Sequence, residues 1–478
     1  MTATQRRVTF AICISVGLTF LISAGLTFLV NPMSEDLGLS DGDVEAVLAI
    51  PSIASLIVIF IAGQTGDQLG HRRALLIYSG FFALGGSLLA IAPGRLLVFL
   101  GLALCGASAT AIQIVALALL QQTIPEGPAH VSAFTTYGMV YPFAYLTIPV
   151  LTAGLLDVAA WRVIPIIWAA AGLVIALIVA MLIARSTHRH PIGEWLTPLL
   201  AGIALAGGVR FLVSIGRWGL LASSTLIGFM LMVIAIFACW ARYRSTTTSG
   251  FSLAPIRSSL TRALLLGVTL VALVGTLTYV ILALQDLYDM SPLEASLAVI
   301  PAQLGAIIGA KFIGGRTIRR WGIGRAGRRL TLILSVSVLP LVAMQASTPA
   351  WYLVVCATLF NTIALAAVTV LNTDVMSRAP RGATGPMSSF RGAASSLGSG
   401  LGVVVLGTSV ISAVNMSAGP AEVTNQQAAD IAAGLRIDGI LGFLVSLLAW
   451  ATLTAVERRS ASKTQGNSLN SHDEHHAG

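Results

Sequence analysis

Apolar segments of about 20 residues recur along almost the whole of this 478-residue chain, with short polar connections between them. A helix of about 20 residues is long enough to cross the hydrocarbon core of a bilayer, which is roughly 30 Å thick. Only 10% of the residues are charged and 56% are hydrophobic, whereas a soluble domain has about 25% charged residues. The chain is therefore predicted to be an all-α polytopic membrane protein embedded in the lipid bilayer.

The polar and reactive residues exclude several classes of protein. The four cysteines lie inside apolar segments, as small buried side chains do, and the seven histidines show no metal-ligand spacing. The sequence contains neither a phosphate-binding loop of the form G-x-x-x-x-G-K-[ST] nor a grouping of nucleophile, histidine and acid. We therefore expect a protein that is not an enzyme and that holds neither a metal nor a cofactor.

The hydropathy pattern divides the chain into about fourteen membrane helices. Glycine and proline inside the segments are compatible with membrane spans, because neighbouring helices pack closely there and satisfy the freed backbone groups. The predicted spans are 8–30, 44–64, 73–92, 96–120, 130–154, 162–184, 195–214, 218–240, 262–284, 293–313, 329–347, 351–373, 388–413 and 437–455.

Basic residues alternate between the two sides of the predicted membrane. About 21 arginines and lysines fall on one side and about 3 on the other, which is the asymmetry of the positive-inside rule. The basic side is called the predicted cytoplasmic side below. The net charge of +9 arises from these clusters and does not indicate a nucleic-acid partner. We therefore predict an even number of spans with both termini in the cytoplasm.

The connection between the second and third spans reads GQTGDQLGHRR and contains a G-x-x-x-D-x-x-G frame followed by two arginines. The residues of this motif are Gly63, Asp67, Gly70, Arg72 and Arg73. In pattern and in position it resembles the loop signature of the major facilitator superfamily. A partial echo, GGRTIRRWGIGRAGRR (314–329), occupies the equivalent connection of the second half, with Arg319 in place of the acid. Related loops in both halves are typical of an internally duplicated transporter.

Further segments resemble the fourteen-span drug:proton antiporters of that superfamily, a multidrug and antibiotic efflux family. LQDLYDMSPLEASLAVIP (284–301) is similar to an outer connection of these proteins, and SSFRGAASSLGSGLGVVVLGTS (388–409) to a later helix rich in small residues. The two additional helices within 195–240 also fit fourteen spans. The resemblance implies a major facilitator fold of about 14 transmembrane helices, in two pseudo-symmetric six-helix halves plus two extra central helices.

The implied boundaries are an N-terminal transporter half at 1–190 and two additional transmembrane helices at 191–245. A C-terminal half at 246–457 and a disordered cytoplasmic tail at 458–478 follow.

Two features depart from the family pattern. The first span contains no acid, and Leu102 stands where an arginine is common in the fourth.

The resemblance implies a monomeric secondary exporter in a bacterial cytoplasmic membrane. Its cargo is a hydrophobic or amphipathic small molecule, such as a drug, a toxin or a self-made antibiotic. It works by alternating access, with protons as the coupling ion. Because of the two departures, an uncoupled or differently coupled carrier of a metabolite or lipid stays open as an alternative. A non-transporting membrane receptor or enzyme on this scaffold is a more distant one.

Three acids are candidate proton carriers, because ionisable groups near membrane depth are costly and are often functional. Asp374 lies near the predicted cytoplasmic end of its span, and Asp286 and Glu294 flank the opposite mouth. Partial burial favours the protonated form of a carboxyl group. The alternatives are an ion pair of Asp374 with Arg378, one helical turn on, and solvated loop acids at the other two positions.

A substrate cavity is expected between the two halves near the middle of the membrane. Tyr137, Tyr141 and Tyr145 recur every four residues and therefore share one helical face. Aromatic rings with a hydroxyl group suit amphipathic substrates, although helix–helix packing would explain the same stripe. The full set of candidate cavity residues is Ser23, Gln113, Tyr137, Tyr141, Tyr145, Tyr279, Asn361 and Arg391.

Asp67 has a role that the resemblance implies. In relatives this acid holds the inner gate closed by contacting the start of a second-half helix, where the helix dipole favours negative charge. The matching segment begins near Met387–Arg391. Asp67 is therefore expected to be a conformational latch and not a proton carrier, with Arg72 and Arg73 anchoring the cytoplasmic side.

Overall fold

The computed structural model describes residues 1–184, 194–245, 253–275, 278–380, 382–406 and 425–474. These residues form helices joined by short connections. The first seven helices make up the first half of the molecule. They are α1 (Ala3–Leu37), α2 (Asp41–Leu69), α3 (His71–Ala90), α4 (Arg95–Thr123), α5 (Pro128–Gly138), α6 (Val140–Leu156) and α7 (Val163–Leu182).

Two helices follow, α8 (Leu196–Trp218) and α9 (Ser223–Ser245). The second half then comprises α10 (Ser259–Val274), α11 (Thr278–Tyr288), α12 (Pro292–Ala298), α13 (Ile300–Ile308), a π-helical segment (Gly309–Gly314), α14 (Gly315–Trp321), α15 (Ile323–Val338), α16 (Ala350–Ser377), α17 (Thr384–Val405) and α18 (Asn425–Glu474). Short 3₁₀ segments occupy Ala254–Ile256 and Leu339–Ala343.

Local sequence signals explain several helix ends. Ser40 caps α2 by accepting a hydrogen bond from the N–H of Asp43, whose carboxylate in turn accepts from the Ser40 N–H. This reciprocal capping box satisfies two donors that the first turn would otherwise leave unpaired. Gly38 ends α1 in the left-handed conformation, at φ 60°, which glycine adopts without steric penalty.

Twelve helices of the described ranges are long and apolar enough to cross a membrane, and they coincide with twelve of the fourteen predicted spans. The other two predicted spans begin in α10, an apolar helix of 16 residues, and in α17, which has 22 residues. The protein is therefore a multi-pass membrane protein. The count of fourteen stays a prediction, since the second of these spans continues into residues outside the described ranges.

Glycines allow the helices of the first half to approach closely. A Cβ atom at Gly85 in α3 would lie 2.9 Å from the carbonyl oxygen of Gly101 in α4. A Cβ atom at Gly172 in α7 would lie 2.6 Å from the backbone nitrogen of Ala83 in α3. Such contacts between backbones replace the hydrophobic effect as the source of helix association inside lipid.

The two additional helices pack on each other, and α8 packs against α2 and α17. The side chain of Gln64 in α2 donates a hydrogen bond to the carbonyl oxygen of Glu194 at 2.8 Å, just before α8. The Glu194 carboxylate also pairs with Arg242 near the end of α9. Both α8 and α9 fall within the 191–245 segment predicted for this pair, whose boundaries stay a prediction.

Candidate substrate cavity and gate

A cavity of about 300 Å³ lies between the two halves of the molecule. The first half contributes side chains from α1, α2, α4, α5 and α6, and the second half contributes them from α10, α16 and α17. The polar side chains that line the cavity are Thr110, Gln113, Tyr137, Tyr141, Thr369, Asn372, Arg391, Ser395, Ser396 and Ser399. The lining therefore contains four of the predicted cavity residues, namely Gln113, Tyr137, Tyr141 and Arg391.

Aromatic rings form one wall of this cavity. Phe20 of α1 and Tyr141 of α6 both line it, and their rings meet edge to face with centroids 5.6 Å apart. Tyr145 packs behind them, with its ring centroid 4.6 Å from that of Tyr141 and 6.1 Å from that of Phe20. Two residues of the tyrosine stripe, Tyr137 and Tyr141, therefore line the cavity, and Tyr145 packs against Tyr141.

Hydrogen bonds hold part of the polar lining in place. Gln113 of α4 donates through Nε2 to the hydroxyl of Thr19 in α1 at 3.0 Å, and Thr19 donates to the carbonyl oxygen of Val16 at 2.7 Å. On the opposite side, the side-chain oxygen of Asn372 and the Nε atom of Arg391 are buried without a hydrogen-bond partner. Buried polar atoms normally have a partner, so these two mark a place where a bound molecule can supply one.

Two other predicted cavity residues, Asn361 and Ser23, do not line the cavity. Asn361 is buried and donates through its side chain to the carbonyl oxygen of Ala302 at 3.0 Å, which ties α16 to α13. The hydroxyl of Ser23 donates to the carbonyl oxygen of Phe20 within α1 at 3.4 Å. The side chains of Tyr279 and Asp286 lie outside the described part of the structure.

At the predicted cytoplasmic side, α2 of the first half crosses α17 of the second half with backbones in contact. A Cβ atom at Gly63 would overlap the carbonyl group of Gly385, and one at Gly385 would overlap the carbonyl group of Gly63. Next to this crossing, the hydroxyl of Ser389 donates to the carbonyl oxygen of Ile59 at 2.7 Å. We call the contact of Gly63 and Asp67 with Thr384, Gly385 and Ser389 the α2–α17 gate.

Asp67 lies at the centre of the α2–α17 gate. Its Oδ2 atom accepts a hydrogen bond from the backbone N–H of Gly385 at 3.3 Å, and its Oδ1 atom lies 3.5 Å from the hydroxyl of Thr384. Gln122 of α4 also donates to that hydroxyl, at 3.0 Å. The sequence placed the matching segment near Met387–Arg391. The contact instead falls at Thr384 and Gly385, because the first turn of α17 is where N–H groups are free to bind an anion.

The rest of the motif shapes the turn after α2. Gly70 adopts φ 85° between α2 and α3, and Gly322 adopts φ 74° at the equivalent place between α14 and α15. Arg72 donates through Nη2 to the carbonyl oxygen of Ala180 at 2.9 Å, in the last turn of α7, where a cation is favoured. Arg73 is exposed.

A second contact joins the halves at α5. Lys311, in the π-helical segment, donates a hydrogen bond to the hydroxyl of Thr136 in α5. Nearby, a Cβ atom at Gly138 would lie 2.6 Å from the hydroxyl of Thr369 in α16. A π-helical segment interrupts the regular ladder of an α-helix and is frequent at functional sites. We call the bond between Lys311 and Thr136 the α5 contact.

Comparison with known proteins decides which family has this architecture. A sequence model of the Major Facilitator Superfamily matches residues 12–403, which is most of the chain. The chain belongs to the major facilitator superfamily. Members of this family have two helical halves with a binding site between them, and the cavity described above also lies between two halves.

Several relatives in the family carry names that describe export or resistance. The tetracenomycin C resistance and export protein of Streptomyces glaucescens is 26% identical over 401 residues, which cover 80% of this chain and 72% of the relative. The drug efflux pump JefA of Mycobacterium tuberculosis is 22% identical over 329 residues, 67% of this chain and 64% of the relative. The puromycin resistance protein of Streptomyces alboniger is 27% identical over 298 residues, 60% of this chain and 58% of the relative.

Solved structures share the fold at low sequence identity. The human organic anion transporter MFSD10 has a TM-score of 0.64 at 15% identity and covers 95% of this chain and 100% of its own. The proton:xylose symporter XylE has a TM-score of 0.62 at 12% identity, with 94% and 96% covered. These matches agree with a major facilitator fold.

Two of the three candidate proton carriers, Asp374 and Glu294, do not line the cavity. Asp374 is buried in α16, and its carboxylate pairs with Arg378 one turn on, with Nε and Oδ1 2.8 Å apart. Glu294 is exposed and forms the capping box of α12 with Ser291. The ion pair of Asp374 is the alternative that the sequence left open, whereas Glu294 is a helix-capping residue and not a loop acid. Among the described residues, the lining of the cavity contains no acid.

Sequence reasoning missed several lining residues on α17. Ser395 and Ser399 follow Arg391 at intervals of four residues, and all three line the cavity. Positions four residues apart lie on one face of a helix. The repeated spacing of one arginine and two serines in a segment rich in small residues was therefore a signal for this face.

Proposed function

We propose that the chain is a secondary exporter of hydrophobic or amphipathic small molecules. The observation that carries the proposal is the cavity between the two halves, with aromatic rings on one wall and polar side chains on the other. Pockets of this size and composition bind small organic ligands. The names of the relatives support a drug, a toxin or a self-made antibiotic as cargo.

Alternating access explains the two contacts that join the halves. The α2–α17 gate consists of a few polar bonds and one close backbone approach, and the α5 contact is a single hydrogen bond; both join a first-half helix to a second-half helix. Such contacts can break when the halves rock around a fixed central site. In this scheme the described conformation is closed at the predicted cytoplasmic side, and cargo enters from the cytoplasm after these contacts open.

Proton coupling belongs to the proposal, and Asp374 is its candidate carrier. It is a buried acid with one ion-pair partner, at the end of α16 that lies on the predicted cytoplasmic side. An uncoupled or differently coupled carrier of a metabolite or lipid is the second candidate. Two observations favour it. The first span has no acid, and Leu102, at the fourth-span position where an arginine is common, is buried among apolar side chains.

The proposed setting is a bacterial cytoplasmic membrane, with a monomeric chain and both termini in the cytoplasm. The distribution of basic residues supports this orientation. The proposed division is into 1–190, 191–245, 246–457 and 458–478. The pairing of α8 with α9 supports the second of these segments, whereas α18 runs from Asn425 to Glu474 across the last boundary.

Accumulation of labelled compounds in a drug-sensitive bacterial host tests the proposal. Cells that express the chain should accumulate less of at least one amphipathic antibiotic than cells with an empty vector. A protonophore should abolish the difference if export is proton-coupled, whereas an uncoupled carrier should change the rate of equilibration and not the final amount accumulated. Equal accumulation of every compound in both strains would reject export.

A further inference from the structure

The cavity contains one cationic side chain and, among the described residues, no anionic one. Arg391 lines the cavity from α17. Its Nε atom is buried without a hydrogen-bond partner, and the guanidinium forms no ion pair with a carboxylate in the described ranges. A charged group in a membrane helix is costly unless something pairs with it.

Two other arginines in the described part of the molecule have ion-pair or hydrogen-bond partners for their guanidinium groups. Arg162 pairs with Asp36 and also donates to the carbonyl oxygen of Ala92 at 3.1 Å. Arg378 pairs with Asp374 at 2.8 Å. Arg391 differs because its neighbourhood is the cavity and not another side chain of opposite charge. A molecule bound in the cavity can therefore supply the pairing group.

The other lining residues indicate which chemical groups the bound molecule carries. Phe20, Phe134 and Tyr141 supply aromatic surface, while Gln113 and Asn372 supply amide groups. The side-chain oxygen of Asn372 is buried without a partner and can accept a hydrogen bond from the ligand. An aromatic ring system with one acidic group and one hydrogen-bond donor satisfies these features together.

We propose that the cavity selects an aromatic organic anion, whose carboxylate, sulfonate or phenolate pairs with the guanidinium of Arg391. The inference rests on the proposed export function and adds the charge of the cargo to it. A planar guanidinium binds such oxygens through two parallel N–H groups. The rings of the ligand then lie against Phe20 and Tyr141.

Equilibrium binding of two dyes tests the proposal without requiring transport. Fluorescein is an anion and rhodamine 6G is a cation, and both contain the xanthene ring system. The purified full chain is placed in nanodiscs of zwitterionic phosphatidylcholine, which carry no net charge, and the anisotropy of each dye is titrated. The variants are Arg391→Gln, which removes the charge, and Arg391→Lys, which keeps it. Arg210→Gln is the matched control, because Arg210 lies in α8 outside the cavity lining.

The wild-type chain should bind fluorescein more tightly than rhodamine 6G. Arg391→Gln should weaken fluorescein binding by about tenfold or more without weakening rhodamine 6G binding, and Arg391→Lys should restore most of the loss. Arg210→Gln should leave both affinities within about twofold. A monodisperse elution profile and an unchanged melting temperature show that each variant is folded.

Three results would overturn the proposal. They are a wild-type chain that does not bind fluorescein, a preference of the wild type for rhodamine 6G, and an equal loss of both dyes in Arg391→Gln. Tight binding of rhodamine 6G alone would reject the anionic cargo and leave the export function standing. Export itself is tested separately by accumulation in cells.

Discussion

The carboxylate of Asp67, in the last turn of α2, accepts a hydrogen bond from the backbone N–H of Gly385 in the first turn of α17 at 3.3 Å. The two residues belong to different halves of the molecule, so this bond joins the halves at the predicted cytoplasmic side. A negative charge at the N-terminus of a helix is stabilised by the free N–H groups and by the helix dipole.

Replacement of Asp67 by Asn should weaken the α2–α17 gate, because the amide keeps the shape of the side chain and loses its charge. We expect the closed state to lose about 1 kcal/mol, which is about a fivefold change in its population. Transport should slow accordingly, while the amount of protein in the membrane stays the same. Reactivity of a cysteine placed at Thr384 reports opening. Unchanged transport and reactivity would refute the latch.

Replacement of Gly63 by Ala should block closure by steric overlap, because the added Cβ atom meets the carbonyl group of Gly385. Overpacking of this kind typically amounts to about 1–3 kcal/mol, or roughly 5- to 150-fold in the closed population. Gly80→Ala is the control, since Gly80 also lies in a helix and a Cβ atom there has no neighbour within 4 Å. Equal transport by the two variants would contradict the close approach of α2 and α17.

Lys311 and Thr136 should affect the transport rate through the single hydrogen bond between them, the α5 contact. Lys311→Met and Thr136→Val each remove one partner of the hydrogen bond between them. In a double-mutant cycle on the transport rate, the second change should therefore have little effect once the first is present, with a coupling of about 1 kcal/mol. Additive effects of the two changes would show that the bond does not contribute to closure.

Substitution of Asp374 can distinguish a role in proton coupling from a role in the stability of the fold. If it carries the proton, Asp374→Asn should reduce gradient-driven transport by at least about fivefold, the lower end of typical coupling. Exchange of labelled for unlabelled substrate, which needs no net proton movement, should continue. Arg378→Gln is the control, because it breaks the same ion pair without removing the acid. If both variants lower the melting temperature and affect both assays alike, the pair is structural and Asp374 is not the carrier.

Helix positions followed closely from the sequence, and contacts between helices did so only in part. Twelve predicted spans match long apolar helices, because a run of apolar residues inside lipid has few alternatives to a helix. Tyr141 was placed on a cavity face by its spacing, and it lines the cavity. The position of Asn361 in the sequence does not show which residue its side chain contacts. Its bond to Ala302 depends on how α13 packs against α16.

The partner of Asp67 in the α2–α17 gate could also be predicted only in part from the sequence. The motif around Asp67 indicated a bond to a second-half helix, but the partner depends on where α17 begins. That helix begins at Thr384, which places the free N–H groups before Met387. Glu294 illustrates the opposite case, since its capping of α12 is readable from the sequence as S-x-x-E.

Efflux from preloaded cells tests the central claim most directly. Three strains of a drug-sensitive bacterium express the wild type, Gly63→Ala or Gly80→Ala. The cells are de-energised and loaded with a labelled amphipathic antibiotic, chosen because energised wild-type cells do not accumulate it. Glucose is then added to restore the proton gradient. Wild-type and Gly80→Ala cells should release the compound rapidly, Gly63→Ala cells should release it slowly, and a protonophore should suppress the difference. Release at the same rate from all three strains would contradict export through the cavity between the two halves.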